Sequence, residues 1–275
     1  VFKAGETMIR DITIGQYYPA DSPLHRMDAR VKIIITLLYI ISLFVIKSFI
    51  GYAFVILCLA AVIKISKVPF RFMVKGLKAL IFIIVFTAVI NLFTTKGDTV
   101  LFTVWRFTAT LEGLFFAIKM CLRIVLLIIG SSLLTLTTTP IKLTDGIESL
   151  LKPFAKIGVP AHDIAMMMTI ALRFIPTLLD ETDKIIKAQQ ARGADFDTGS
   201  LVSKAKALVP ILVPLFISAF RRADELAMAM EARCYNGSGE RTRMNVMKIT
   251  STDYISSLLF ICYFAVLIGI RFIIG

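Results

Sequence analysis

Residues 160–193, PAHDIAMMMTIALRFIPTLLDETDKIIKAQQARG, and residues 201–234, LVSKAKALVPILVPLFISAFRRADELAMAMEARC, decide how this chain is read. The first ends in Ala191-Arg192-Gly193 and the second in Ala232-Arg233-Cys234, and an aspartate stands nine positions before each arginine, Asp183 and Asp224. The two stretches therefore form an imperfect internal repeat, and two matched ends point to two matched partners. Pro160 near the start of the first and Gly193 at its end are residues favoured at those helix termini, so a helix is predicted to about Arg192. A second is predicted from about Ser200 to Tyr235. At ~1.5 Å per residue each reaches roughly 50 Å. The apolar part of the first, Ile164 to Leu179, is broken by Arg173 and kinked at Pro176. The apolar block of the second, Ala207 to Phe220, bends at Pro210 and Pro214 and holds fourteen residues fenced by Lys204, Lys206, Arg221 and Arg222. That is too few to cross a bilayer. The region from Pro160 to Gly237 thus reads as long cytosolic or interfacial helices presenting two basic ends to something soluble.

Outside that region the chain is greasy enough to live in a bilayer. Its 275 residues are 57% hydrophobic with a mean hydropathy of +0.81, against about 45–50% apolar residues in soluble domains. The net charge of +12 sits in clusters between apolar runs, where membrane topology explains it and no nucleic acid is needed. Cys58, Cys121, Cys234 and Cys262 are irregularly spaced and imply neither disulfides nor a zinc site. With only His25 and His162 there is no histidine cluster for a metal. No phosphate-cradling glycine loop is present, so the chain is not expected to hydrolyse ATP itself. The reading therefore carries no catalytic residue, no cofactor and no metal.

In chain order, Val1 to Thr7 precede Met8, read as the native start, and are set aside as a remnant. Residues 1–30 form a cytoplasmic lead-in broken by Pro19, Asp21, Ser22 and Pro23. Residues 31–138 hold four spans: Val31 to Ile46, Phe49 to Ile63, Leu80 to Thr95 and about Leu114 to Thr137. The loop with Lys64, Lys67, Arg71, Lys75 and Lys78 has no acidic residue and fixes the cytoplasmic side. Lys96 to Glu112, with Phe102, Trp105 and Phe107, reads as an outside segment lying at headgroup level. Lys119 and Arg123 share a helix face in the fourth span and read as snorkelling outward. Pro140 ends that span, and a short helix opened by Thr144, Asp145 and Glu148 stops at Pro153. Residues 139–250 are the cytoplasmic coupling region, without a run long enough to cross, and residues 251–275 supply a fifth span, Tyr254 to Ile274. The fold class is an all-α polytopic membrane protein with about five transmembrane helices plus long cytoplasmic or interfacial helices. Five crossings from an inside amino end leave the carboxyl end outside.

An arginine in the last turn of a helix is ordinary, because the dipole favours it. Two at matched distance, flanked by Ala191, Gly193 and Ala232, are less so, since small neighbours let a partner backbone approach while the guanidinium offers a planar fork of donors. Here the chain resembles the transmembrane T component of energy-coupling-factor transporters, a branch of the ATP-driven vitamin and metal-ion importers. Its paired X-Arg-X signature matches Ala191-Arg192-Gly193 and Ala232-Arg233-Cys234. Its amino-terminal pattern matches Gly15-Gln16-Tyr17-Tyr18-Pro19 and then Ser22-Pro23-Leu24-His25-Arg26-Met27-Asp28-Ala29-Arg30-Val31-Lys32. Ala29 departs from the family's usual proline, and Cys234 stands where the first motif has glycine.

The resemblance implies that each arginine motif docks on one of two homologous ABC-type ATPase subunits at the plasma membrane. It implies also that the kinked amphipathic helices cradle a small hydrophobic substrate-binding membrane subunit. Met166, Met167 and Met168 would give that contact a soft, adaptable surface. Phe174 and Pro176 would join them from the same helix, and Leu212, Phe216 and Phe220 from one face of the next. Two other classes compete. Asp180-Glu181-Thr182-Asp183 could hold magnesium and a diphosphate in a prenyl-transferase-like membrane enzyme, with Asp224-Glu225 as a thin second cluster. A stand-alone channel or secondary transporter would show repeats across its spans and mid-membrane charge.

Overall fold

The computed structural model describes residues 17–46, 48–95, 99–104, 107–158, 160–194, 201–235 and 247–274. In chain order the helices are α1 (Pro23–Arg26), α2 (Ala29–Val45), α3 (Phe49–Ser66), α4 (Phe70–Thr94), α5 (Leu111–Thr137), α6 (Pro140–Leu151), α7 (Ala161–Ala191), α8 (Leu201–Glu231) and α9 (Ser251–Ile274). A hairpin of β1 (Val100–Val104) and β2 (Phe107–Thr110) precedes α5, and a 3₁₀ turn, Lys152–Ile157, follows α6. The chain divides into two compact units, residues 15–150 with 247–275, and residues 151–246 with 1–14.

In the first unit local signals start the helices. Ser22, Asp28, Ser48 and Thr110 each accept a backbone N–H as N-caps of α1, α2, α3 and α5. Pro23 does not prevent a helix, as the sequence reading expected, but opens α1 at a position where the missing N–H costs nothing. The segment after α4, expected at headgroup level, contains an antiparallel hairpin, with Phe102 opposite Ala109 and Val104 opposite Phe107. Its β-branched and aromatic residues carried that signal. Trp105 lies outside the described residues.

The core of this unit joins α2, α3, α5 and α9 through Leu43, Tyr52, Val55, Leu133, Leu136 and Leu267. Tyr39 donates its hydroxyl to the carbonyl of Leu126 at 3.0 Å. Its ring lies where a Cβ on Gly130 would be, so α2 and α5 meet only because position 130 has no side chain. Ser42 on α2 and Tyr263 on α9 bring their hydroxyls to 3.1 Å.

The amino-terminal pattern is a polar stitch across the ends of these helices. His25 Nε2–H donates to the carbonyl of Tyr18 at 3.0 Å and Ser22 Oγ lies 2.7 Å from Nδ1. Burial pushes the His25 imidazole below its ordinary value. Arg30 grips the Asp28 carboxylate at 2.8 Å and holds it below the usual carboxylate range. The same guanidinium reaches the Met247 carbonyl at 3.2 Å. The buried Asp253 accepts the backbone N–H groups of Asp28 and Thr250, each at 2.7 Å. The lead-in is thereby tied to the start of α9, 225 residues away.

Among the described residues four helices are long and apolar enough to cross a membrane: α3, α5, α7 and the Ser251–Ile273 part of α9. The number is five if α4, bent by 61° between Phe70–Lys78 and Leu80–Thr94, is one span. At 17 residues α2 sits at the lower limit for crossing. For α7 the expectation of no crossing-length run between Ile141 and Thr250 is corrected. Pro176 removes one backbone donor without ending the helix, so apolar residues on both sides join into a window of mean hydropathy 1.3. That is well below the 2.1–2.3 of α3, α5 and α9.

The second unit is built on α7 and α8. Gln189 Nε2 donates to the carbonyl of Pro210 at 3.2 Å, and Arg222 Nη2 to Glu181 Oε2 at 3.4 Å. As the contact moves back along α7 from 189 to 181 it moves forward along α8 from 210 to 222, so the helices run antiparallel.

Candidate functional site

The two arginine-bearing ends are built alike. At the end of α7 the Gly193 N–H donates to the carbonyl of Gln190 and the Ala194 N–H to that of Gln189, both at 3.0 Å. At the end of α8 the Cys234 N–H donates to Glu231 at 2.8 Å and the Tyr235 N–H to Met230 at 3.0 Å. This paired bonding is the Schellman motif, which satisfies the last carbonyls by turning one residue into the left-handed region. That residue is Gly193 (φ 87°) in one end and Cys234 (φ 59°) in the other. The Gly-to-Cys departure therefore leaves the shape of the cap unchanged. Glycine adopts this conformation freely, whereas a residue with a Cβ pays roughly 1–2 kcal/mol. Ala191, Arg192, Gly193, Ala232, Arg233 and Cys234 are all exposed.

A contact that the sequence reading missed relates the two ends. Glu181 and Arg222 are 41 positions apart, and so are Arg192 and Arg233. Their ion pair thus joins residues equivalent under the internal repeat, which places it on the local two-fold relation of α7 and α8. From it each arginine lies eleven positions further along its own helix, about 16 Å at ~1.5 Å per residue. Because the helices are antiparallel, those equal arms point in opposite directions. The signal was present as the same spacing, but only the crossing register shows which residues face each other.

The apolar residues expected on these helices fall into two groups. Met167, Met168, Pro176, Leu212, Phe216 and Phe220 are exposed, Phe220 at 69%. Met166 and Phe174 are half-buried. On α8 the stripe continues through Leu208, Val209, Val213 and Ile217, all exposed. A soluble monomer rarely shows a contiguous apolar face of this kind.

Two other expectations resolve differently. Arg123 does not simply snorkel: its Nε donates to the Tyr52 hydroxyl at 3.1 Å and its Nη2 to the carbonyl of Ile46 at 3.4 Å, at the turn between α2 and α3. Lys119 lies 4.8 Å over the Phe49 ring beside that turn. In the acidic run, Glu181 faces the Arg222 guanidinium rather than a second carboxylate cluster. Among the described residues no group of three or more His, Cys, Asp or Glu side chains converges as a metal site.

Comparison with known proteins decides the family. A family model described as cobalt transport protein matches residues 20–245. The chain is 61% identical to the energy-coupling factor transporter transmembrane protein of Clostridium kluyveri, over 91% of this chain and 93% of that protein. The chain belongs to that family. Equally named proteins of Ruminiclostridium cellulolyticum and Acidaminococcus fermentans are 59% and 51% identical, over 90% and 96% of this chain and 92% and 98% of theirs. As an energy-coupling factor transmembrane protein, the chain is a multi-pass membrane component of a transporter and not an enzyme.

Proposed function

We propose that this chain is the coupling subunit of an ATP-driven importer for vitamins or other micronutrients. It links two homologous ATPase subunits to a small hydrophobic substrate-binding membrane subunit. Ala191-Arg192-Gly193 and Ala232-Arg233-Cys234 each seat in a groove on one ATPase. Met166 to Met168, Phe174, Pro176, Leu212, Phe216 and Phe220 contact the substrate-binding subunit. The amino terminus and residues 139–250, α7 included despite its crossing-length apolar window, lie on the cytoplasmic side and the carboxyl end outside; the basic stretch with Lys64, Lys67, Arg71, Lys75 and Lys78 supports this orientation. One observation supports the docking role above the rest: two exposed, identically built helix ends at equal arms from one ion pair. Closing the ATPases on one another would move those ends and change the crossing of α7 and α8 beneath the substrate-binding subunit.

The test is ATP-dependent uptake by the reconstituted transporter carrying Arg192→Glu or Arg233→Glu. Reversing an interface charge costs at least about 1.4 kcal/mol, a tenfold loss. Each single variant is therefore expected to lose uptake at least tenfold. Uptake at the wild-type rate in both variants would overturn the assignment.

A further inference from the structure

Within the first unit, α2, α3, α5 and α9 enclose a cavity of about 650 Å³. Its body is apolar, lined by Ile35, Val55, Leu59, Leu133 and Phe260 among others. Tyr39, Cys58 and Tyr263 line its length, and its one charged group stands at one end, where Lys32 and Thr36 lie in the first turns of α2, Thr137 ends α5, and Thr252 and Ser256 lie in the first turns of α9. Ile65, Ile255 and Leu259 line the cavity and are exposed, Leu259 at 66%. The cavity therefore opens sideways between α3 and α9, into the space that lipid fills around a multi-pass protein. From Thr252 to Tyr263 the lining on α9 extends over eleven residue steps, about 16 Å at ~1.5 Å rise.

Lys32 gives this cavity its chemistry. The side chain is buried and its ammonium donates to the Thr137 carbonyl at 2.9 Å and to Thr138 Oγ1 at 3.2 Å. Both acceptors are neutral, and an ammonium has a third N–H to place. The nearby carboxylates are committed elsewhere, Asp28 to Arg30 and Asp253 to Thr250 and the Asp28 backbone. Among the described residues Lys32 forms no ion pair. Asp253 and Asp28 attract the ammonium from a distance and Lys142 repels it, so what Lys32 lacks is a direct anionic partner for its third N–H. A buried ammonium with a donor left to place in a membrane protein suits an anion. The second cavity, about 430 Å³ between α4 and α5, has no such group at Ala88, Leu92, Leu114 or Val125.

We infer that the cavity is a binding site for an anionic phospholipid, with one acyl chain between α3 and α9 and the phosphate on Lys32. An acyl chain matches the apolar body and lateral mouth, and an anionic headgroup matches the one cationic end. The lipid comes from the leaflet at the start of α2, and its binding would fasten α2, α5 and α9 together beside the polar stitch.

The experiment is native mass spectrometry of the full chain extracted from nanodiscs of equal parts phosphatidylglycerol and phosphatidylcholine. Wild type is expected to retain phosphatidylglycerol over phosphatidylcholine by at least tenfold. Lys32→Gln is expected to abolish the preference. Leu259→Trp, at an exposed position of the mouth where folding is undisturbed, is expected to lower total retained lipid severalfold. Equal retention of the two lipids by wild type overturns the proposal. So does undiminished phosphatidylglycerol in both variants, or retention of free fatty acid alone.

Discussion

Replacing Cys234 by glycine isolates the backbone strain in the second arginine end. Cys234 holds φ at 59° and Gly193 holds 87° in the equivalent cap. A Cβ placed on Gly193 would meet nothing within 4 Å, so side-chain packing does not enter the comparison at that end. What remains is the left-handed conformation, which costs a non-glycine residue roughly 1–2 kcal/mol. Glycine's larger loss of freedom on ordering takes back part of that gain, leaving about 1 kcal/mol, or roughly fivefold in an opening equilibrium. The Tyr235 N–H closes the cap onto Met230 at 3.0 Å, and the Ala194 N–H closes the other onto Gln189 at 3.0 Å. Hydrogen exchange at those two amides reads the opening directly. Cys234→Gly should slow Tyr235 about fivefold, and Gly193→Cys should speed Ala194 by a similar factor. Unchanged exchange at Tyr235 and Ala194 in both variants would show that the two ends are not strained in this way.

Three further outcomes are expected. A double-mutant cycle with Glu181→Gln and Arg222→Met should give a coupling of about 0.2–1 kcal/mol in detergent unfolding, since the pair is about one-third exposed and screened; a coupling above about 3 kcal/mol would mark a fully desolvated pair instead. Gly130→Ala drives a methyl into the Tyr39 ring and should cost about 1–3 kcal/mol, read as a lowered Tm; an unchanged Tm would contradict that close approach. His25 is held below its unfolded value of about 6.5 by burial, so the unfolded state binds more protons just below that pH. The stability it contributes is full above about pH 6.5 and is lost as pH falls from there through the lowered folded-state value, and Tm against pH should flatten in His25→Gln.

The long helices and their ends were legible because their signals are local. Pro160 and Gly193 flank α7, and both arginine motifs repeat within their own helices. The cap of Cys234 was not legible, since the residue type disfavours the conformation that six-residue bonding imposes on it. Glu181 and Arg222 looked like members of separate charged runs; their pairing follows from the register in which α7 crosses α8. The amino-terminal pattern was visible as a resemblance without a task. Its task is long-range, since Asp28, Arg30 and Lys32 bond to Asp253, Met247 and Thr137. Arg173 and Pro176 read as breaks in the apolar run, but an interior proline removes only one bond from a helix of 31 residues, so the run is continuous in α7 while its mean hydropathy of 1.3 stays well below that of α3, α5 and α9.

The docking role of the paired arginines is tested most directly by purifying the chain from its native membranes in mild detergent, wild type beside Arg192→Glu plus Arg233→Glu. The wild type is expected to bring two ATPase subunits and a small hydrophobic membrane protein, and the double variant to keep the membrane protein while losing both ATPases. A wild type that comes out alone, or a double variant that retains its ATPases, would contradict it.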